Sequence, residues 1–323
     1  DMSTIKQRLL QCERIIKEGI LPESFLNPET ICDFYVDENR KKIWAVCIDL
    51  LLNLDKVGRS HNLKYSLAFG SLLGLVRHQG FIPWDDDIDV VMPREDYEKL
   101  EDYQSEFKHP HFLQFPGEDE GYSFSFAKLR NTNTSGVSWA FRYESYNQGQ
   151  FIDIFPLDNY SLINLEDNLR KIRCLIDESS ALMRRSCPFP DENDLKKMEC
   201  FPIIRNPKVV VQELDSLLKI NKHIQSDKYI VWCCPIYSSE RMTFGKELFN
   251  DLIEADYYGY KVFIPRNYEK VLNITYGNYM ELPPVEKRGQ WHNSSIFNPD
   301  IPFKTTLNLL KEEELKTSQN TNS

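Results

Sequence analysis

An α/β chain of the α+β kind, a mixed sheet flanked by helices, is predicted for these 323 residues from three observations. Lys64 to Phe69 is a short apolar run closed by Gly70-Ser71, after which Leu72, Leu73, Leu75 and Val76 follow at helical spacing. That is strand, turn and helix. Asp87-Ile88-Asp89-Val90 and Phe151-Ile152-Asp153-Ile154-Phe155 alternate at the period of two that half-buried strands require. Lys41 to Arg59 carries Ile43, Trp44, Val46, Cys47, Leu50, Leu51, Leu54 and Val57, the spacing of a helix lying on a sheet.

The remaining elements fall into place along the chain. Met2 to Ile20 reads as an amphipathic helix, and Pro22, Pro28 and Glu29 mark the loop after it. Pro93-Arg94-Glu95-Asp96 starts a helix to about Tyr103, with proline in its first turn and acids near its positive end. Phe124 to Leu129 alternates again. Leu162 to Arg184 and Pro207 to Gln225 read as helices, and the Pro- and charge-rich piece from Ser186 to Asn206 between them reads as a loop. Residues 229 to 265 read as strands with a hairpin at Tyr257-Tyr258-Gly259-Tyr260, and a helix from about Arg266 stops at Gly277. Lys316 to Ser323 is polar and expected to be disordered. The chain thus divides into an N-terminal helical extension (1–40), a main domain (41–300, with an insertion at about 160–228) and a partly disordered tail (301–323).

Composition narrows the classes. A hydrophobic fraction of 41% supports a sizeable core, and a net charge of −10 with no basic patch argues against nucleic acid as the partner. Eight cysteines without Cys-x-x-Cys spacing point to reduced thiols in a cytosol rather than zinc. Neither a signal peptide nor an apolar run of membrane length is seen, so a soluble, cytoplasmic protein without a transmembrane segment is expected.

The chemistry concentrates in Trp84-Asp85-Asp86-Asp87-Ile88-Asp89-Val90. Strand alternation sends Asp87 and Asp89 to one face and Ile88, Val90 and Met92 to the other, buried one. Two carboxylates side by side are costly to keep ionised, and a hard, oxygen-preferring divalent ion, Mg²⁺ or Mn²⁺, removes that cost while leaving positions for phosphate oxygens. Asp85 and Asp86 fall to the incoming loop or to a supporting role. Upstream, backbone N–H groups at the start of the helix would face an anion, Gly70 would let it approach, the Ser71 hydroxyl would add a donor and Arg77 a phosphate ligand.

The string from Phe69 through Gly70-Ser71, Gly74, Arg77, Gly80 and Pro83 to Asp85-Asp86-Asp87-Ile88-Asp89, then Met92-Pro93-Arg94-Glu95-Asp96-Tyr97, resembles the LicD family, built on the nucleotidyltransferase fold. Phe126-Ala127-Lys128-Leu129-Arg130-Asn131 with Thr134, Phe151-Ile152-Asp153-Ile154-Phe155-Pro156-Leu157-Asp158, and Tyr276-Gly277-Asn278-Tyr279-Met280 through Leu282-Pro283-Pro284 to Arg288 and His292 resemble it too. The family includes bacterial phosphocholine transferases and fukutin-type ribitol-phosphate transferases.

The resemblance implies a nucleotidyltransferase-like core that moves a phospho-alcohol head group, phosphocholine first among them, from a CDP-activated donor such as CDP-choline. The acceptor would be a hydroxyl of a cell-surface glycan, free or lipid-linked, with release of CMP, and the enzyme could sit at the inner membrane face. Asp87 and Asp89 would hold the metal and Asp153 would be the third carboxylate, either as ligand or as general base. Lys128 and Arg130, two apart on one strand face, would offset diphosphate charge, with Lys287, Arg288 and His292 folding back over the donor. Choline would need aromatic faces, with Trp84, Trp139, Phe141, Tyr143 and Tyr146 as candidates; a polyol would need amides such as Asn147, Gln148 and Gln150. The alternatives are an NTP-using nucleotidyltransferase that releases pyrophosphate and a catalytically silent glycan-binding scaffold.

Overall fold

A computed structural model describes residues 10–119, 121–122, 124–188, 190–234, 237–289 and 295–321. Helix α1 (Leu10–Lys17) precedes a hairpin, β1 (Glu29–Ile31) and β2 (Phe34–Val36), whose turn residues Cys32 and Asp33 both take left-handed backbone. Helix α2 (Glu38–Ser60) starts where the Asp37 carboxylate accepts the Arg40 N–H at 2.7 Å. Its apolar stripe, Ile43, Trp44, Cys47, Leu50, Leu51 and Leu54, is buried along the length the spacing predicts.

Strand β3 (Ser66–Leu67) is shorter than the apolar run suggests, because the chain turns early. Phe69 adopts φ 44°, and helix α3 (Phe69–His78) begins there instead of after Ser71. Bulky residues rarely hold that conformation, and an edge-on contact with Phe155 at 5.6 Å pins the Phe69 ring. Next come β4 (Asp89–Pro93), α4 (Arg94–Asp102), β5 (His111–Gln114), β6 (Ala127–Asn131), β7 (Ser135–Ser138) and the ten-residue β8 (Gln150–Asn159).

Strand β8 is the axis of a seven-stranded mixed sheet. It runs parallel to β4 on one side and antiparallel to β6 on the other, with β3 beyond β4 and β5 beyond β6. Its last residues pair with β9 (Lys228–Ile230), which pairs in turn with β10 (Thr243–Gly245). Val90, Ile152, Ile154, Ala127 and Leu129 are fully buried on the sheet face that α2 covers. Gln150, on the same face, ties strand to helix by donating to the Ile43 carbonyl at 2.5 Å. The opposite face carries the polar side chains.

The insertion packs three helices, α5 (Leu165–Arg184), α6 (Glu192–Cys200) and α7 (Pro207–Leu218). Helix α6 lies in the piece expected to be a loop. A capping box between Asp191 and Asp194 starts it, and buried Asp194 is held by Arg184 at 3.1 Å and Arg142 at 4.0 Å, so local capping and ion pairing outweigh a charge-rich composition. The run from 229 to 265 is less regular than predicted. Short helix α8 (Lys246–Asn250) interrupts it before the hairpin of β11 (Leu252–Tyr257) and β12 (Tyr260–Pro265), which turns at Tyr258-Gly259 as expected. Helix α9 (Tyr268–Tyr276) ends at Gly277, φ 70°.

Strand β13 (Ser295–Asn298) adds to β7, and α10 (Phe303–Thr321) forms within the segment 301–323 expected as a tail. Phe303 and Leu307 bury against Val137, and Glu314 receives Arg142 at 2.7 Å and the Tyr143 hydroxyl. Anchors spaced along one face hold the helix in spite of its polar sequence.

At the C-terminal end of β8, Asp158 accepts two hydrogen bonds from Arg94, at 2.7 and 2.8 Å, and one from Trp232 Nε1 at 2.9 Å. Both members of the pair are buried. Removing one strands the other's charge in the core, so Asp158→Ala is expected to destabilise the fold by about 3–5 kcal/mol. Urea unfolding checks it, with Lys99→Ala on the exposed face of α4 shifting stability by less than about 0.5 kcal/mol.

Candidate active site

Strand register builds the site. Asp89 on β4 lies opposite Asp153 on β8, and Asp153 lies opposite Lys128 on β6. Cross-strand partners point to the same face, so the three charged side chains form a row across three adjacent strands. Asp87, two residues before Asp89, joins them, and carboxylate oxygens of Asp87, Asp89 and Asp153 lie within 4.8 Å of one another. The structure therefore brings together the three acids that sequence reasoning placed in one site.

Burial pushes the Asp89 carboxyl well above its ordinary range, and the charges of Asp87, Asp153 and Asp85 push the same way. Lys128 opposes them: its ammonium ion-pairs with Asp153 and lies 3.5 Å from the Phe151 ring centroid, with Phe124 at 4.7 Å and Phe126 at 5.1 Å. Burial in turn lowers the Lys128 pKa, against the pull of Asp153. One lysine is too little for this many acids. An all-oxygen donor set with uncompensated charge fits a hard divalent cation.

The acidic segment is clamped from below. Arg40 and Trp44 of α2 both donate to the Asp85 carbonyl at 2.9 Å. Asp85, Asp86 and Asp87 are all buried, and the Asp86 N–H donates to Asp85 Oδ1 at 3.1 Å. Asp85 faces the cavity together with Asp87, whereas Asp86 does not line it. Gly70 is what admits them: a Cβ there would stand 2.7 Å from Asp85 Oδ2 and 3.8 Å from Asp89 Oδ2. Ser71 is buried away from the cavity, its hydroxyl accepting the Asp89 N–H at 2.8 Å, so it fixes the acid strand to α3.

The row forms the floor of a cavity of about 1130 Å³. Arg77 lines it but donates to the Tyr279 and Glu281 carbonyls at 2.9 and 3.1 Å, and its Nε to His78 at 3.0 Å, fastening the segment after α9 across α3. Arg130 also lines it, buried, donating to Gln114 at 2.6 Å and the Gly149 carbonyl at 2.9 Å. Trp84, Phe141 and Tyr146 line the cavity with Phe124, Phe126 and Phe151. Trp139 and Tyr143 do not; they stack on Arg142 near α10. Asn147, Gln148 and Gln150 lie outside the lining, bonded to Thr132, the Phe141 carbonyl and the Ile43 carbonyl.

Arg288 reaches the Trp84 ring, 5.4 Å to the centroid, and the Cys32 carbonyl; Lys287 is exposed. His292 lies outside the described residues. All eight cysteines are free, and among the described residues the candidate metal clusters contain only aspartates. Residues that sequence reasoning gave no role also line the cavity: Cys234, Tyr237, Arg241 and Tyr276, with Arg173, Ile176 and Asp177 from α5. Burial, then Asp153 and Asp89, push the Cys234 thiol to about 12, which places it beside the acids as a neutral group. Only Tyr276 carried a signal, inside the Tyr-Gly-Asn-Tyr string.

Two outcomes follow from this geometry. Gly70→Ala displaces Asp85 or the helix start and is expected to lower activity about a hundredfold, measured as initial rate with the unfolding midpoint as control. His78, pushed down to about 4 by burial and then by Arg77 and Arg288, accepts the Arg77 Nε proton as a neutral ring. The unfolded chain protonates it near 6.5, so its contribution to stability is full above that pH and is lost as pH falls towards 4. In urea titrations from pH 7 to 4, His78→Gln is expected to lose less stability than the wild type.

Residues 62–174 match the family model described as LicD/FKTN/FKRP, nucleotidyltransferase domain. Over 256 residues the chain is 28% identical to the lipopolysaccharide cholinephosphotransferase LicD of Haemophilus influenzae, covering 76% of this chain and 93% of that protein. Shorter similarities join it to uncharacterised proteins of Rickettsia prowazekii, 38% over 71 residues (22% of this chain, 23% of that one), and Rickettsia typhi, 31% over 115 residues (33% and 36%). The glycine-serine turn, the acidic row and both buried cations all fall inside the segment that matches the LicD/FKTN/FKRP nucleotidyltransferase domain model.

Proposed function

We propose that the chain is a transferase that moves phosphocholine from a CDP-activated donor to a hydroxyl of a cell-surface glycan and releases CMP. Mg²⁺ or Mn²⁺ would be held by Asp87, Asp89 and Asp153. The observation that carries the reading is the in-register row Asp89, Asp153, Lys128, joined by Asp87, on the floor of a cavity sized for a nucleotide with a head group. A bound divalent ion would supply charge neutralisation to the donor's diphosphate.

The chain's own residues do the rest by positioning and charge. Lys128 ion-pairs with Asp153 Oδ1 and keeps the carboxylate charged beside Asp87 and Asp89, which supports a ligand role over that of general base. Gly70 opens the approach to the acids. The aromatic faces of Trp84, Phe124, Phe141 and Tyr146 suit a trimethylammonium, which has no proton to donate, and the amides Asn147, Gln148 and Gln150 lie outside the cavity. The activity of the Haemophilus influenzae relative, cholinephosphotransferase acting on lipopolysaccharide, supports both head group and acceptor class. We place the catalytic unit at residues 41–300, with α5 of the insertion as a cavity wall, acting on the cytoplasmic side of the membrane that carries the acceptor. No described helix is long and apolar enough to cross it.

The test is product identity. Purified protein with Mn²⁺, a lipopolysaccharide or other glycan acceptor and CDP-choline is expected to give CMP and choline-labelled glycan. CDP-ribitol and CDP-ethanolamine are expected to be poor donors, and an NTP is expected to give no pyrophosphate. Asp87→Ala and Asp89→Ala are expected to lower the rate about a thousandfold, and Asp153→Asn to weaken Mn²⁺ binding in calorimetry as well. Pyrophosphate from an NTP would instead establish the nucleotidyltransferase reading, and full activity of Asp153→Asn would remove that residue from the site.

A further inference from the structure

The sequence offers Arg77, Lys128 and Arg130 as phosphate ligands, and the structure gives each of them other work. Lys128 neutralises Asp153, while Arg77 and Arg130 donate to backbone carbonyls and to neighbouring side chains. Four carboxylates, Asp85, Asp87, Asp89 and Asp153, face the same cavity. Lys128, Arg77 and Arg130 are thus each engaged by the protein, and an incoming polyphosphate is best met by a lining cation with more than one open donor. A further cation lines the same cavity.

Arg241 stands there. It lines the cavity from the 3-10 turn Ser239–Met242, is exposed, and forms no ion pair among the described residues. Its Nε donates to the Thr275 carbonyl at 2.6 Å and its guanidinium lies over the Tyr237 ring, 4.9 Å to the centroid. These two contacts fix its plane and leave both terminal nitrogens without a hydrogen bond among the described residues. The Tyr237 and Tyr276 rings meet edge-on at 6.0 Å, and both hydroxyls lie within the electrostatic reach of Asp89 and Asp85. The two tyrosines therefore link Arg241 to the acids; their hydroxyls bond to each other, and burial raises both phenols, so the pair stays protonated at neutral pH.

We infer that Arg241, with Tyr237 and Tyr276, forms an oxyanion subsite that grips a phosphate or diphosphate group in the cavity that the carboxylates also line. A pre-oriented guanidinium with two open donors on its edge matches a phosphate in bidentate fashion. The inference rests on the transferase reading only for the source of that phosphate: the nucleotide donor, or a phosphorylated acceptor.

Calorimetry with the intact protein and Mg²⁺ tests it. Inorganic diphosphate is the primary probe, CMP and CDP represent the donor, and a phosphorylated sugar represents the acceptor. Arg241→Met, which keeps the stem and loses the charge, is expected to bind diphosphate about tenfold or more weakly, and Arg241→Lys to recover part of the loss. In turnover, the change is expected mainly in KM of whichever substrate brings the phosphate, with unfolding midpoints unchanged. Equal diphosphate affinity of wild type and Arg241→Met, equal weakness of the Met and Lys variants, or no diphosphate binding by the wild type overturns the subsite. If the wild type binds diphosphate through Arg241 but neither CMP nor CDP, the subsite stands and the cytidine donor falls.

Discussion

Repulsion among carboxylates crowded on one sheet face is the constraint on which the rest of the structure depends. Asp85, Asp86, Asp87 and Asp153 are buried, and Asp89 is pushed well above its ordinary range by its surroundings. At an effective dielectric near 20, two such charges 4 Å apart repel by about 4 kcal/mol. A chain that keeps them together must hold each from outside the cluster. Here α2 grips the Asp85 carbonyl through Arg40 and Trp44, Ser71 grips the Asp89 N–H, and Lys128 grips Asp153. Three separate elements each restrain one acid, so the cluster persists as geometry before any ligand arrives.

The sheet order follows from the same demand. Only a central strand can present one residue in register with a carboxylate on one neighbour and an ammonium on the other, and β8 does so at Asp153. Parallel pairing with β4 brings the start of that strand, and with it Asp87, level with the middle of β8. Antiparallel pairing with β6 brings Lys128 from the opposite direction. A slip of one residue in either ladder would turn the partner to the apolar face under α2.

What was legible in the sequence were the features governed by local periodicity. Asp-Ile-Asp-Val and Phe-Ile-Asp-Ile-Phe declare which acids share a face, and the α2 stripe declares what covers the other. The functional assignments of Ser71 and Arg77 were less legible, because a hydroxyl or guanidinium that could meet phosphate could equally meet a backbone group, and only tertiary packing decides. Helix α10 was missed because its anchors, Phe303, Leu307 and Glu314, are sparse among polar residues and their partners Val137, Arg142 and Tyr143 are remote in sequence. Arg241 carried no motif at all. Its place in the cavity depends on the Thr275 carbonyl and the Tyr237 ring meeting it, which no spacing rule records.

Strand β8 offers its own control on the functional reading. It carries two buried aspartates, Asp153 and Asp158, on the same central strand. Asp158 is answered in full by the protein: Arg94 gives two charge-assisted hydrogen bonds and Trp232 a third. That is how a buried carboxylate looks when its work is structural. Asp153 receives one lysine and then faces Asp87 and Asp89, so the protein supplies fewer positive charges than the acids present. Both aspartates are buried on the same strand, and therefore burial alone does not distinguish them. The difference lies in whether the compensating charge is built into the chain or left to come from outside, and it is this difference that marks the Asp153 end of the strand as the working one.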